Sequence, residues 1–150
     1  MTPNYSFTVK AQWDTQRRGF VEGDAAAPII AFSAPPEFQG ASGFWTPEHF
    51  LGAAVASCFV TTFRAISEIS RFESAGLEVS AEAIVEKGEG GLQFTRITLT
   101  PLLTVARNED LDRGMRLLEK AERSCLVSRS LKGQVTMEPR VQVAAPAMAG

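Results

Sequence analysis

Residues 5–13 alternate apolar and polar positions: Tyr5, Phe7, Val9, Ala11 and Trp13 fall on one side, Ser6, Thr8, Lys10 and Gln12 on the other. Period-two alternation marks a half-buried strand. A polar turn at 14–18 leads through Gly19 into Phe20 and Val21, the second strand of a hairpin, and a third short strand follows at 29–33. Pro35, Pro36, Gly40 and Gly43 then signal an irregular connection. Thr46, Pro47 and Glu48 make a strong helix start, with a capping hydroxyl, proline at the first position and an acid in the first turn. The helix is predicted to run to about Phe72, with Gly76 as its stop. Its first half is rich in small residues and apolar on nearly all sides, so it should be buried on all sides. In a chain of this length a sheet would cover one side, and a second subunit is the economical cover for the other.

Leu77, Val79, Ala81, Ala83 and Val85 alternate as another strand; a glycine turn at 87–91 follows, and 92–105 returns as a longer strand. A second amphipathic helix begins at Asn108 or Glu109, carries Leu111, Met115 and Leu118 on successive turns, and ends near Ser124. Residues 125–131 read as a turn or single helical turn, 134–143 as a last strand, and 144–150 as a frayed tail. Neither a repeat nor a linker is visible. The pattern is that of one α+β domain spanning 1–150.

Charge and composition narrow the function. The 150 residues include 15 Lys+Arg and 17 Asp+Glu, a net charge of −2, which argues against a general nucleic-acid binder. With 45% hydrophobic and 21% charged residues the chain belongs with folded globular proteins. The longest nearly uncharged run, 50–63, is only 14 residues and too short for a bilayer. The first ten residues lack a signal-peptide pattern, so a cytoplasmic location and no membrane partner are expected. In that reducing compartment Cys58 and Cys125 would be catalytic or simply buried rather than a structural crosslink. The single histidine, His49, excludes most zinc sites, and no G-x-S-x-G motif supports a serine hydrolase. No metal or cofactor is expected.

The cysteines are too far apart in sequence to form a C-x-x-C motif. Cys58 lies in an apolar helix, where a thiol is normally protonated and inert; Cys125 lies where a new helical turn starts, and unpaired amides favour a thiolate. Either alone reads as a small buried hydrophobe. A reactive Cys58 needs a cation, for which Arg17 and Arg18 in the first hairpin turn are the candidates, although alone they read as solvated charges. Glu48 alone reads as a partner of the helix dipole, worth about 0.3–1 kcal/mol.

Two segments together say more. The run Thr46-Pro-Glu-His-Phe-Leu-Gly-Ala-Ala-Val-Ala-Ser-Cys58-Phe closely resembles the first-cysteine signature of the OsmC/Ohr family. Ala121-Glu-Arg-Ser-Cys125-Leu-Val-Ser-Arg-Ser-Leu131 resembles its second. The order of elements is also similar, and the resemblance spans roughly residues 5 to 143. It implies an OsmC-like fold, with antiparallel sheets packed around a long buried central helix, in an intertwined homodimer with active sites at the subunit interface. It also implies a thiol-dependent peroxidase for organic hydroperoxides, less active on hydrogen peroxide. Cys58 matches the peroxidatic cysteine, Cys125 the resolving one and Glu48 the family glutamate. Arg18, with Arg17 as alternative, matches the family arginine, although Gln16-Arg17-Arg18-Gly19 departs from the usual glycine-arginine pattern.

Under that resemblance the arginine lowers the Cys58 pKa below the free value near 8.5, the thiolate attacks the peroxide, and Cys125 closes a disulfide. A dithiol, a lipoyl group in some members, reopens it. On a straight helix Glu48 and Cys58 stand about 15 Å apart. The arginine must then bridge them, the helix must break, or a partner subunit must supply one group. His49 reads as an incidental first-turn residue. Phe44, Trp45 and Phe59 read either as an apolar mouth or as interface packing. Two other functions compete: a non-enzymatic dimer holding an apolar small molecule at its interface, and a redox sensor whose disulfide alters a partner contact.

Overall fold

The structure is a computed structural model that describes residues 4–24, 26 and 28–145. Its contacts group the chain into two compact units, 1–50 and 51–150, which are described in turn.

In the first unit, β1 (Val9–Thr15), β2 (Arg18–Gly23) and β3 (Ile30–Ser33) form an antiparallel sheet in chain order. Gln16, in the two-residue turn between β1 and β2, adopts a left-handed conformation at φ 54°, and the Trp13 indole N–H donates to its carbonyl at 2.8 Å. The ladder starts at Val9 rather than at Tyr5. The expected half-burial of this strand is corrected too: all seven β1 residues are exposed, Trp13 at 79%, with Tyr5 and Phe7 just before them exposed as well. β1 is an edge strand, and its own chain leaves both its faces open. A 3₁₀ turn, Pro36–Phe38, follows β3. Gly40 closes that loop, where a Cβ would lie 1.6 Å from the Ala34 carbonyl oxygen, so no other residue fits without moving the backbone.

Helix α1 (Pro47–Ile69) begins as the sequence indicates: the Thr46 hydroxyl accepts the His49 amide at 3.0 Å. Its end differs. Arg71, not a glycine, takes the left-handed position at φ 53°; its amide reaches the Glu68 carbonyl, and the Phe72 amide reaches that of Ser67. This is a Schellman stop, three residues short of the expected limit, and it frees Gly76 to open the next strand.

The second unit holds β4 (Gly76–Gly88) and β5 (Gly91–Val105), a long antiparallel hairpin closed by a tight turn at Glu89 and Gly90. A bulge opposite Ile84 and Val85 leaves Thr95 unpaired in the ladder and puts both Ile84 and Val85 in half-buried positions. After β5 the chain passes through α2 (Leu111–Ser124) and α3 (Leu126–Arg129) to β6 (Gln134–Met137) and β7 (Arg140–Val143). Both last strands pair parallel to β5, so this sheet is mixed, correcting the expectation of antiparallel sheets. The crossover through the helices returns the chain to the start of β5, which makes the pairing parallel. The single expected last strand is split at Pro139, which has no N–H to give the ladder.

The core combines two periodicities. Ile97, Leu99, Leu103 and Val105 alternate along β5, while Val55, Phe59, Phe63 and Ile66 form one stripe of α1, with Leu117, Leu118 and Ala121 of α2 completing the cluster. Only that stripe of α1, with Ser67 beside it, is buried: 22% of its most apolar 18-residue window is covered, and Ile69 is exposed. The expectation of a helix buried on every side is therefore not met within one chain. At 23 residues α1 is also long and apolar enough to cross a bilayer by length and composition, because the helix extends well beyond the 14-residue run seen in the sequence.

Candidate active site

Cys58 sits in the middle of α1, partly exposed, and Cys125 sits fully buried at the junction of α2 and α3; both thiols are free. The extended backbone of Cys125 (φ −68°, ψ 115°) ends α2 and lets a fresh helical turn begin at Leu126. The unpaired amides of that turn point at the Cys58 sulfur. Burial pushes the Cys58 thiol pKa up. Hydrogen bonds from the Val127 amide, the Cys125 thiol, the Thr62 hydroxyl and the Leu126 amide more than offset this and hold it below its ordinary value. Thr62 Oγ1 lies 3.8 Å from the sulfur, one helical turn further along α1.

The fold thus brings together two cysteines that are distant in sequence, the buried Cys125 beside the more exposed Cys58. Sequence reasoning missed three contributors. The amides of Leu126 and Val127 were expected to favour a thiolate at Cys125, yet they serve Cys58. Thr62 could have been found, since it stands four residues after Cys58 on the same helix face.

Arg17, Arg18 and Glu48 belong to the 1–50 unit. Arg17 is exposed and donates to the Phe38 carbonyl at 3.2 Å and to Gln39 Oε1 at 3.3 Å. Arg18 lies over the Phe44 ring, 5.6 Å from its centroid, and its buried Nε has no hydrogen-bond partner. An open cavity of about 520 Å³ runs beside the two arginines, along Gln16, Gln39 and Gly40. Glu48 is half-buried in the first turn of α1, and one of its carboxylate oxygens is buried without a partner. α1 runs unbroken from Pro47 to Ile69, so the alternative of a broken helix between Glu48 and Cys58 falls away.

His49 is tied into the helix cap, with Nδ1 2.7 Å from the Thr46 hydroxyl. Trp45 stacks on Phe50 with ring centroids 5.7 Å apart. Phe59 is fully buried in the core, so it is part neither of an apolar mouth nor of an exposed interface. Among the described residues no cluster of His, Cys, Asp or Glu is placed to hold a metal ion.

A mixed sheet crossed by a long helix, with one free thiol on that helix facing another at a helix junction, is the arrangement to set beside known proteins. The model of the family described as OsmC-like protein matches residues 40–140, and the chain belongs to that family. Its members include peroxiredoxin-like redox proteins. The chain is 28% identical over 143 residues to the uncharacterized protein YmaD of Bacillus subtilis, covering 93% of this chain and 95% of that one. It is 28% identical over 101 residues to the peroxiredoxin OsmC of Escherichia coli, covering 67% and 69% respectively. In fold it is similar to an OsmC-like protein of unknown function from Vibrio cholerae, with a TM-score of 0.79 at 19% identity, over 91% of this chain and 99% of that one.

Proposed function

We propose that this chain is a cytoplasmic thiol peroxidase that reduces organic hydroperoxides, and hydrogen peroxide less well, as a homodimer. The observation that carries the reading is the meeting of two free thiols, Cys58 on α1 and the buried Cys125 at the α2–α3 junction. The Cys58 thiolate attacks the distal peroxide oxygen; the O–O bond breaks, an alkoxide leaves and takes up a proton, and Cys58 becomes a sulfenic acid. Cys125 attacks that sulfur, a disulfide forms, and the sulfenic oxygen leaves as water. An external dithiol, of the lipoyl kind, restores both thiols by exchange and is itself oxidised to its disulfide. Arg18 is proposed to stabilise the thiolate, with Arg17 in second place because its donors are engaged with Phe38 and Gln39. Glu48, whose buried oxygen lacks a partner, is proposed to orient the arginine. The name of the Escherichia coli relative, a peroxiredoxin, supports the reading. The open faces of β1 and α1 support the dimer.

The test is intact-protein mass after one equivalent of cumene hydroperoxide and again after dihydrolipoamide. A loss of two hydrogens, reversed by the dithiol, is expected. Cys58→Ser should consume no peroxide, and Cys125→Ser should turn over once and then over-oxidise. Equal multiple-turnover rates in Cys58→Ser and wild type would overturn the assignment. The pH dependence follows from the same contacts: the alkylation rate of Cys58 should rise with pH and level off with a midpoint below the ordinary thiol value of about 8.5, since the folded state favours the thiolate. In Thr62→Val that midpoint should move upward.

A further inference from the structure

Beyond the thiols, toward the C-terminal end of α1, the second unit holds an open cavity of about 770 Å³. That is within the range of ~300–1,000 Å³ that accommodates small organic ligands. Ser67 on its wall stands nine positions after Cys58, about 13 Å along the helix, so this is a different place from the thiol pair. Four arginines, Arg64, Arg71, Arg107 and Arg113, line the cavity in a chain whose net charge is negative. Two of them are already matched: Arg64 pairs with Glu68 at 3.7 Å, and Arg107 with Asp110 at 3.4 Å and Glu109 at 3.5 Å. Arg71 and Arg113 have no carboxylate partner among the described residues, and the remaining acid on the wall is Glu73.

Arg113 is fixed through its side chain and Arg71 through its backbone. Arg113 spends one N–H on the Ser70 carbonyl and lies over the Phe72 ring, 5.4 Å from its centroid, which leaves its other donors available. Arg71 is the left-handed residue of the Schellman stop, so its backbone is pinned. Ser67, which lines the same cavity, is 1% exposed, and its hydroxyl has no hydrogen-bond partner. A buried hydroxyl is normally paired, and an orphan on the wall of a cavity points to a missing acceptor.

We infer that this cavity binds a phosphomonoester, a small organic molecule bearing a terminal phosphate. Guanidinium forks match phosphate oxygens in bidentate fashion. The three terminal oxygens of a phosphate can take both forks and the serine hydroxyl together, whereas a carboxylate offers only two oxygens in one plane. The volume leaves space for an organic body behind the phosphate.

The test is calorimetric titration of the full chain with phenyl phosphate, inorganic phosphate and benzoate at matched ionic strength. Saturable binding of phenyl phosphate is expected, tighter than that of the other two. Arg71→Gln, at an exposed position, should weaken it about tenfold. Ser67→Ala should also weaken it while leaving the thermal midpoint of the ligand-free chain unlowered, because the hydroxyl makes no bond there. Absence of saturable phenyl phosphate binding would overturn the inference. So would benzoate binding equally well, or affinity unchanged in both Arg71→Gln and Ser67→Ala.

Discussion

β5 carries Ile97, Leu99, Leu103 and Val105 out of water into a core shared with α1 and α2, whereas every residue of β1 remains exposed. Both strands belong to antiparallel hairpins, and both alternate apolar with polar side chains. The difference lies in what the chain supplies afterwards. Beyond β5 come an amphipathic helix and two further strands, so its apolar face meets partners within the same unit. Alternation therefore reports that a face calls for a cover, and says nothing of where the cover comes from.

Substitutions in the two hairpins should separate the cases. The largest effect is expected at the covered one: Leu99→Ala should cost about 2–5 kcal/mol by urea denaturation, since it opens a cavity in a fully buried site. A cost under about 1 kcal/mol would mean that β5 does not carry the core. The uncovered hairpin should respond in a different observable. Phe7→Ser combined with Trp13→Ser should shift sedimentation from dimer toward monomer and leave a monomer that still folds cooperatively. A wild-type chain that is monomeric at all concentrations would remove the second subunit as the cover for β1. The smallest effect is expected at the turn: Gln16→Gly should stabilise by about 0.5 kcal/mol by relieving the left-handed backbone at φ 54°, a gain read as a small rise in midpoint.

Much of this architecture was legible because it is written locally. Thr46 and Pro47 announce the start of α1, and the glycines at 88, 90 and 91 announce the β4–β5 turn. The stop of α1 was not legible, since an arginine in the left-handed position leaves no signature and the nearest glycine lay further on. The direction of β6 and β7 was hidden for another reason: alternation shows which side chains share a face but carries no information on pairing sense. The two cysteines were singled out by the residues around them. Their meeting, and the amides that converge on Cys58, depend on the turn at Cys125 lying against the middle of α1, a long-range contact that local pattern does not encode.

The unequal exposure of the two sulfurs has a consequence for how a disulfide between them can be reopened. Cys125 is sealed from solvent, while Cys58 is partly open. A reducing thiol arriving from outside can reach only the sulfur on α1, so Cys125 is always the group expelled and the mixed disulfide always forms on Cys58. Electrons enter by one door, fixed by the packing around the second helix junction. In a chain with Cys125→Ser, a peroxide-generated sulfenic acid on Cys58 should accordingly lose water to a monothiol and keep it as a mixed disulfide, whereas a dithiol should close its own disulfide and leave Cys58 free, so intact mass tells the two kinds of reductant apart.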